Sequence, residues 1–194
     1  KRELLPFYLP WVAGVLANGK GAQDDIVMTV MLWRLDADDI AGALEIARYA
    51  MTWGLTMPTG RRPTPYLLAE EVALAVQRLL TAKQPVELAN LLDTIALTER
   101  ADMPDIVRAK LHKITGYVLR DANQLPEALA HLQRAIQLER TIGVKKDIEQ
   151  LERQLRPKPE PAPKTKTTKP RTRKPAAKPV ARRGRPPKTA KAAG

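Results

Sequence analysis

The last 38 residues of the 194-residue chain cannot join a hydrophobic core, and this leaves residues 1–156 to make whatever fold there is. Residues 157–194 hold nine of the 17 prolines and no aromatic residue, and their only apolar side chains are alanines and Val180. So little apolar surface cannot offset the entropy lost on ordering the backbone, so this segment is expected to be disordered when free. It also carries 13 Lys and Arg against the single acid Glu160, while the remaining 156 residues hold 20 of each sign. The net charge of +12 therefore belongs to an appendage, and the body is neutral. Two units are expected: a body, 1–156, and a basic tail, 157–194.

The body is dense in Leu, Ile, Val and Ala, and its size allows roughly two-thirds of its extended-chain surface to be buried. There is no cysteine, so neither a disulfide framework nor a thiolate metal site is available. No apolar run approaches the roughly 18 residues that span a bilayer. The opening Lys1-Arg2-Glu3-Leu4-Leu5-Pro6 lacks an initiator methionine, and Pro6, Pro10 and Gly14 break its apolar stretch, unlike a signal peptide. The expectation is a fragment that lacks its true N-terminus.

Apolar residues at three- and four-residue steps, punctuated by Pro, Gly and Asx, predict an all-α multi-helix body. The expected helices are Leu4–Leu16, Asp24–Leu35, Asp39–Trp53, Pro65–Leu80, Val86–Glu99, Pro104–Asp121, Pro126–Ile142 and Val144–Arg156. Pro65, Pro104 and Pro126 are expected at first helical positions, where the missing amide costs nothing. The alternating patterns and hairpin signals of a sheet are absent. Ala43, Ala47 and Ala50 share their spacing with Ala128, Leu132 and Ala135, and Gly116 precedes Ala128 by twelve residues, as in tetratricopeptide hairpins. Two ordinary packed helix pairs account for this; a scaffold of helical-hairpin repeats is the alternative.

Within the tail, Arg182-Arg183-Gly184-Arg185-Pro186-Pro187-Lys188 contains the core of an AT-hook. Glycine lets the backbone approach the groove floor, proline keeps the course extended, and arginines suit the negative potential of a narrow A·T-rich minor groove. With Lys164, Lys166, Lys169, Arg171, Arg173, Lys174 and Lys178, these residues form the expected DNA-binding set, here Arg182, Arg183, Gly184, Arg185, Pro186 and Lys188. Minor-groove readout separates A·T from G·C and little more, so the hook alone does not specify one site. The tail lacks aromatic platforms for single-stranded bases, and it lacks an anchor for an anionic membrane.

The other chemistry-bearing residues read as structural. Asp24, Asp25, Asp36, Asp38 and Asp39 form the densest acidic group. A magnesium-dependent nuclease would need such carboxylates to converge on a metal, and Asp24, Asp25, Asp36 and Asp39 are the weak catalytic candidates. Their positions at helix starts and in a turn suit capping better. His112 and His131 lie singly on different helices without a metal-ligand spacing, and both are expected at the surface or its boundary. Trp11, Trp33 and Trp53 are expected as core anchors. No phosphate-cradling Gly-x-x-x-x-Gly-Lys-Ser/Thr loop occurs, so no cofactor is expected, with Mg²⁺ entering only if the chain itself cuts DNA.

The run from Gly21 through Asp36, Gly-Ala-Gln-Asp-Asp-Ile-Val-Met-Thr-Val-Met-Leu-Trp-Arg-Leu-Asp, continues in Asp39-Ile40-Ala41-Gly42-Ala43-Leu44-Glu45-Ile46-Ala47-Arg48-Tyr49-Ala50. Together with Gly54-Leu55-Thr56-Met57-Pro58, Ala101-Asp102-Met103-Pro104-Asp105 and Arg108-Ala109-Lys110-Leu111-His112-Lys113-Ile114-Thr115-Gly116, it strongly resembles the small terminase subunit of peduovirus-type temperate tailed phages. The resemblance implies binding to the cohesive-end region of concatemeric phage DNA in the host bacterial cytoplasm, without a membrane. It also implies a homo-oligomer and delivery of the DNA to an ATP-hydrolysing large subunit. The family carries the label of endonuclease subunit, and no catalytic residue transfers by motif. A metal-dependent endonuclease and a helical adaptor with a nucleoid-binding tail are the rival readings.

Overall fold

The computed structural model describes residues 1–156 except 59 and 61, and these residues form eight α-helices. They are α1 (Leu5–Asn18), α2 (Asp25–Asp36), α3 (Ile40–Trp53), α4 (Thr64–Thr81), α5 (Leu88–Thr98), α6 (Asp105–Asp121), α7 (Leu125–Leu138) and α8 (Lys145–Leu155). The expected all-α class is observed. The tail expectations, including its disorder, lie outside the described residues.

Helices α2–α3, α4–α5 and α6–α7 are three hairpins whose first helices turn back in one way. Each ends in an alanine, Ala37, Ala82 or Ala122, followed by a residue in the left-handed region: Asp38 (φ 65°), Lys83 (φ 54°) and Asn123 (φ 60°). Among the described residues these are the three non-glycine positions with positive φ. The next amide then donates five residues back, Asp39 to Arg34 O at 2.9 Å, Gln84 to Leu79 O at 2.9 Å and Gln124 to Leu119 O at 2.9 Å. These bonds satisfy carbonyls that the helix end would otherwise orphan. Asp and Asn tolerate left-handed backbone, so two of the three turns are cheap. The first and third hairpins also match in sequence, Asp36-Ala37-Asp38 with Ala43-Leu44 against Asp121-Ala122-Asn123 with Ala128-Leu129. The shared turn supports the repeat alternative.

Packing follows the hairpin order. First helices stack, α2 on α4 and α4 on α6; second helix α3 packs on α5; α1 lies on α2 and α3, and α8 on α7. The main core includes Met28, Met31, Leu35, Leu44, Ile46, Leu68, Val72 and Leu91, and a smaller cluster joins Leu119, Ala128, Leu132, Val144 and Leu151. All six alanine and leucine positions of the spacing motif are fully buried. Gly116 allows α6 and α7 to approach closely: a Cβ there would lie 2.7 Å from Leu132 Cδ2 and 3.2 Å from Ala128 O.

Several helix ends differ from the sequence expectation. Pro104 is the extended residue preceding α6 (ψ 139°), while Pro65 and Pro126 are second in their helices. Any of the first few positions tolerates proline, because none of those amides has an intrahelical partner. Helix α7 stops at Leu138, not Ile142: Glu139 turns extended, and its carboxylate accepts from the Thr141 amide and hydroxyl. Helix α1 continues through Pro10.

Replacing Gly116 by Val forces the α6–α7 crossing apart or Leu132 out of its rotamer. The expected loss is about 1–3 kcal/mol of folding stability, read as a lower denaturation midpoint.

Candidate functional site

The acidic candidates separate into two groups at opposite ends of α2. Asp24 is its N-cap: Oδ1 accepts from the Val27 amide at 2.9 Å, and Oδ2 from Trp11 Nε1 at 3.0 Å. Asp25 begins the helix and accepts from Gln23 at 2.9 Å. Asp36, Asp38 and Asp39 lie at the far end, about 18 Å away for a helix of this length. Each there has a cationic partner. Lys1 pairs with Asp36; Arg2 (3.0 Å) and Arg78 (3.1 Å) pair with Asp38; Arg34 pairs with Asp39 at 2.7 Å. Asp39 also caps α3, accepting from the Gly42 amide at 3.0 Å. Among the described residues no three His, Asp or Glu side chains converge to hold a metal ion. The carboxylates therefore do helix-terminal work, as capping and dipole arguments expect.

The histidines lie at the boundary on different helices, as expected, but the structure brings them together. Their Nδ1 atoms are 3.1 Å apart between α6 and α7, with ring centroids 5.1 Å apart. One nitrogen must donate and the other accept, so at least the accepting ring must be unprotonated at Nδ1. Burial, then the charges of His131, Arg134 and Arg108, lower His112 from 6.5 to about 4, and burial also lowers His131. Glu99 and Asp105 line the adjoining cavity with Arg108 and Arg134. Arg108 is itself committed to the end of α5, donating to Thr98 O (3.2 Å), Glu99 O (3.0 Å) and Ala101 O. The pairing could not be read from sequence, because nineteen residues and a helix reversal separate the rings.

The tryptophans depart from the core expectation. Trp33 is partly buried and meets Tyr8 edge-on at 5.7 Å, but Trp11 is 53% and Trp53 51% exposed. Trp53 covers Gly21, whose φ of +77° and missing Cβ leave room for the indole, while the Gly21 amide donates to Tyr49 Oη at 2.9 Å. Trp11 shares the outer face of α1 with Leu4 and with Phe7, which is 79% exposed; no residue of α1 is charged. The expected DNA-binding residues, from Lys164 to Lys188, all lie outside the described residues.

Among the described residues the acidic candidates are capped, paired or hydrogen-bonded and do not converge, and comparison with known proteins identifies the chain's kind. The sequence pattern of the phage small terminase subunit family matches residues 1–106. The chain belongs to this family. It is similar to the "Terminase, endonuclease subunit" of Escherichia phage P2, 63% identical over 191 residues, which cover 98% of this chain and 76% of that relative. It is also similar to the "Probable terminase, endonuclease subunit" of Haemophilus phage HP1, 28% identical over 166 residues, covering 77% of this chain. There it spans 58% of the relative's own length. No solved structure matches the chain. The family match covers α1 through the start of α6, so the histidine pair and its α7 partner extend past it.

Two outcomes test these assignments. Asp24→Ala and Asp39→Ala each remove a cap and should cost about 1 kcal/mol of stability by denaturant titration. The unfolded chain protonates both histidines near pH 6.5, whereas folded His112 does so only near 4. Between these values the unfolded chain holds more protons, so stability falls as the pH falls. The rings are partly exposed, so this loss should be on the order of 1–2 kcal/mol. In the His112→Gln/His131→Gln variant, the denaturation midpoint should change less between pH 7 and 4.5.

Proposed function

We propose that this chain is the DNA-recognition and docking subunit of a phage packaging terminase, with a neutral helical body and a basic DNA-binding tail. Membership in the small terminase subunit family supports the packaging role. The observation that carries the division of labour is the charge partition: all of the +12 net charge falls in residues 157–194. In this reading the Lys- and Arg-rich tail neutralises phosphates, and Arg183-Gly184-Arg185-Pro186 sits in an A·T-rich minor groove near the cohesive ends. The body contacts the large subunit and self-associates in the host cytoplasm. Several weak tails on one oligomer would bind together far more tightly than one tail alone.

A second reading is that the chain cuts DNA itself. The relatives' names favour it, since both are called endonuclease subunits. Asp24 and Asp39 are spent on caps and Asp36 and Asp39 on ion pairs, while Asp25 accepts from Gln23, which weighs toward recognition. Cleavage of cohesive-end DNA by the purified chain with Mg²⁺, lost on Asp→Ala change at these positions, would establish the nuclease reading.

The recognition reading predicts that ending the chain at Arg156 leaves the thermal transition in place and removes most DNA affinity. If the tail neutralises about six phosphates, the log–log salt slope should flatten by about 5. Arg183→Ala with Arg185→Ala should abolish preference for A·T-rich over G·C-rich duplex while retaining part of the non-specific binding. Unchanged affinity and salt slope in the truncated chain would overturn this reading.

A further inference from the structure

The first helices of the second and third hairpins leave an open groove between them. It has a volume of about 410 Å³, within the range of real ligand sites. Ala73, Leu74 and Leu80 of α4 and Ile114 of α6 form its apolar floor, with Ile142 closing one end. A shallower depression continues along α4 and shares Leu74, Gln77 and Thr81 with it. Leu74, in the middle of this surface, is 43% exposed.

The wall on α6 is basic. Lys110 and Lys113 line it, and neither has a carboxylate partner among the described residues. Lys113 is held by the Ile142 carbonyl at 2.8 Å and lies 5.9 Å from the Tyr117 ring centroid, so its charge stays at the groove edge. The opposite wall contributes one acid, Glu70, at the far end. Stacked helical hairpins commonly bind partners on the surface made by one set of helices.

These features select an occupant by chemistry. The chain's own tail has 13 basic residues and one acid, so it mismatches a lysine wall. Duplex DNA would satisfy the lysines but has no apolar side chain to place on Leu74, Leu80 and Ile114. What fits is a peptide segment with apolar anchors and flanking carboxylates. We infer that the α4–α6 groove is the surface by which this chain holds an acidic, apolar-anchored segment of the terminase large subunit. The inference rests on the proposed partnership with that subunit, and it gives that subunit a contact surface distinct from the DNA-binding tail.

Binding of the full chain to the large subunit, measured by calorimetry for wild type, Leu74→Asp and Lys110→Glu, tests it. Both side chains are exposed, so the variants should keep the wild-type helical circular dichroism and melting transition. Each should weaken large-subunit binding at least about tenfold, as loss of a central interface contact does, while DNA affinity changes less than about twofold. If wild type binds and both variants bind equally well, the groove is not the contact and the partnership stands. If wild type itself does not bind, the partnership fails and this occupant with it. If the variants instead lose self-association and retain the large subunit, a second copy of this chain occupies the groove and the inference is overturned.

Discussion

A helix stops where its last carbonyls find donors, and three helices of this chain stop by placing one residue in the left-handed region. That residue redirects the chain by a tight turn, and the following amide reaches back five residues. Everything downstream depends on the reversal being the same each time. It sets the second helix of each hairpin against the first, and it brings α2, α4 and α6 to one side of the array. In the first and third hairpins the buried alanines after the turn let the pair approach closely, as where Gly116 meets Leu132 and Ala128. A larger residue at these crossings would separate the helices and open the core.

The same geometry divides the acidic residues from any shared centre. Because the turn after α2 is capped and paired through Asp36, Asp38 and Asp39, their charge is spent on Lys1, Arg2, Arg78 and Arg34. Asp24 and Asp25 face the other end of the same helix. A chain built this way uses its carboxylates to hold helix ends together, and it keeps its unbalanced positive charge in a separate segment.

Much of the fold was legible in the sequence, since helix ends are local events. Asp24 and Asp39 announce caps through side chains that reach amides three residues away, and prolines mark first turns with an error of a residue or so. The buried alanines were legible too, because helical periodicity puts them on one face. The tryptophans were not: large apolar side chains are expected inside, yet Trp53 lies as a lid on Gly21 and Trp11 spends its indole N–H on Asp24 at the surface. Nor did spacing reveal the histidine pair, because the contact is made across two helices after a reversal.

By itself the sequence determined the all-helical class, the partition of charge between residues 1–156 and 157–194, and the motif strings that carry the family resemblance. These rest on local propensity, composition and charge, which need no knowledge of neighbours in space. Only the tertiary structure decided that three turns share one backbone conformation, that His112 and His131 meet ring to ring, and that α4 and α6 leave a lysine-walled apolar groove. Those are properties of surfaces brought together by helix packing, and packing angle and depth depend on side-chain volumes from distant parts of the chain.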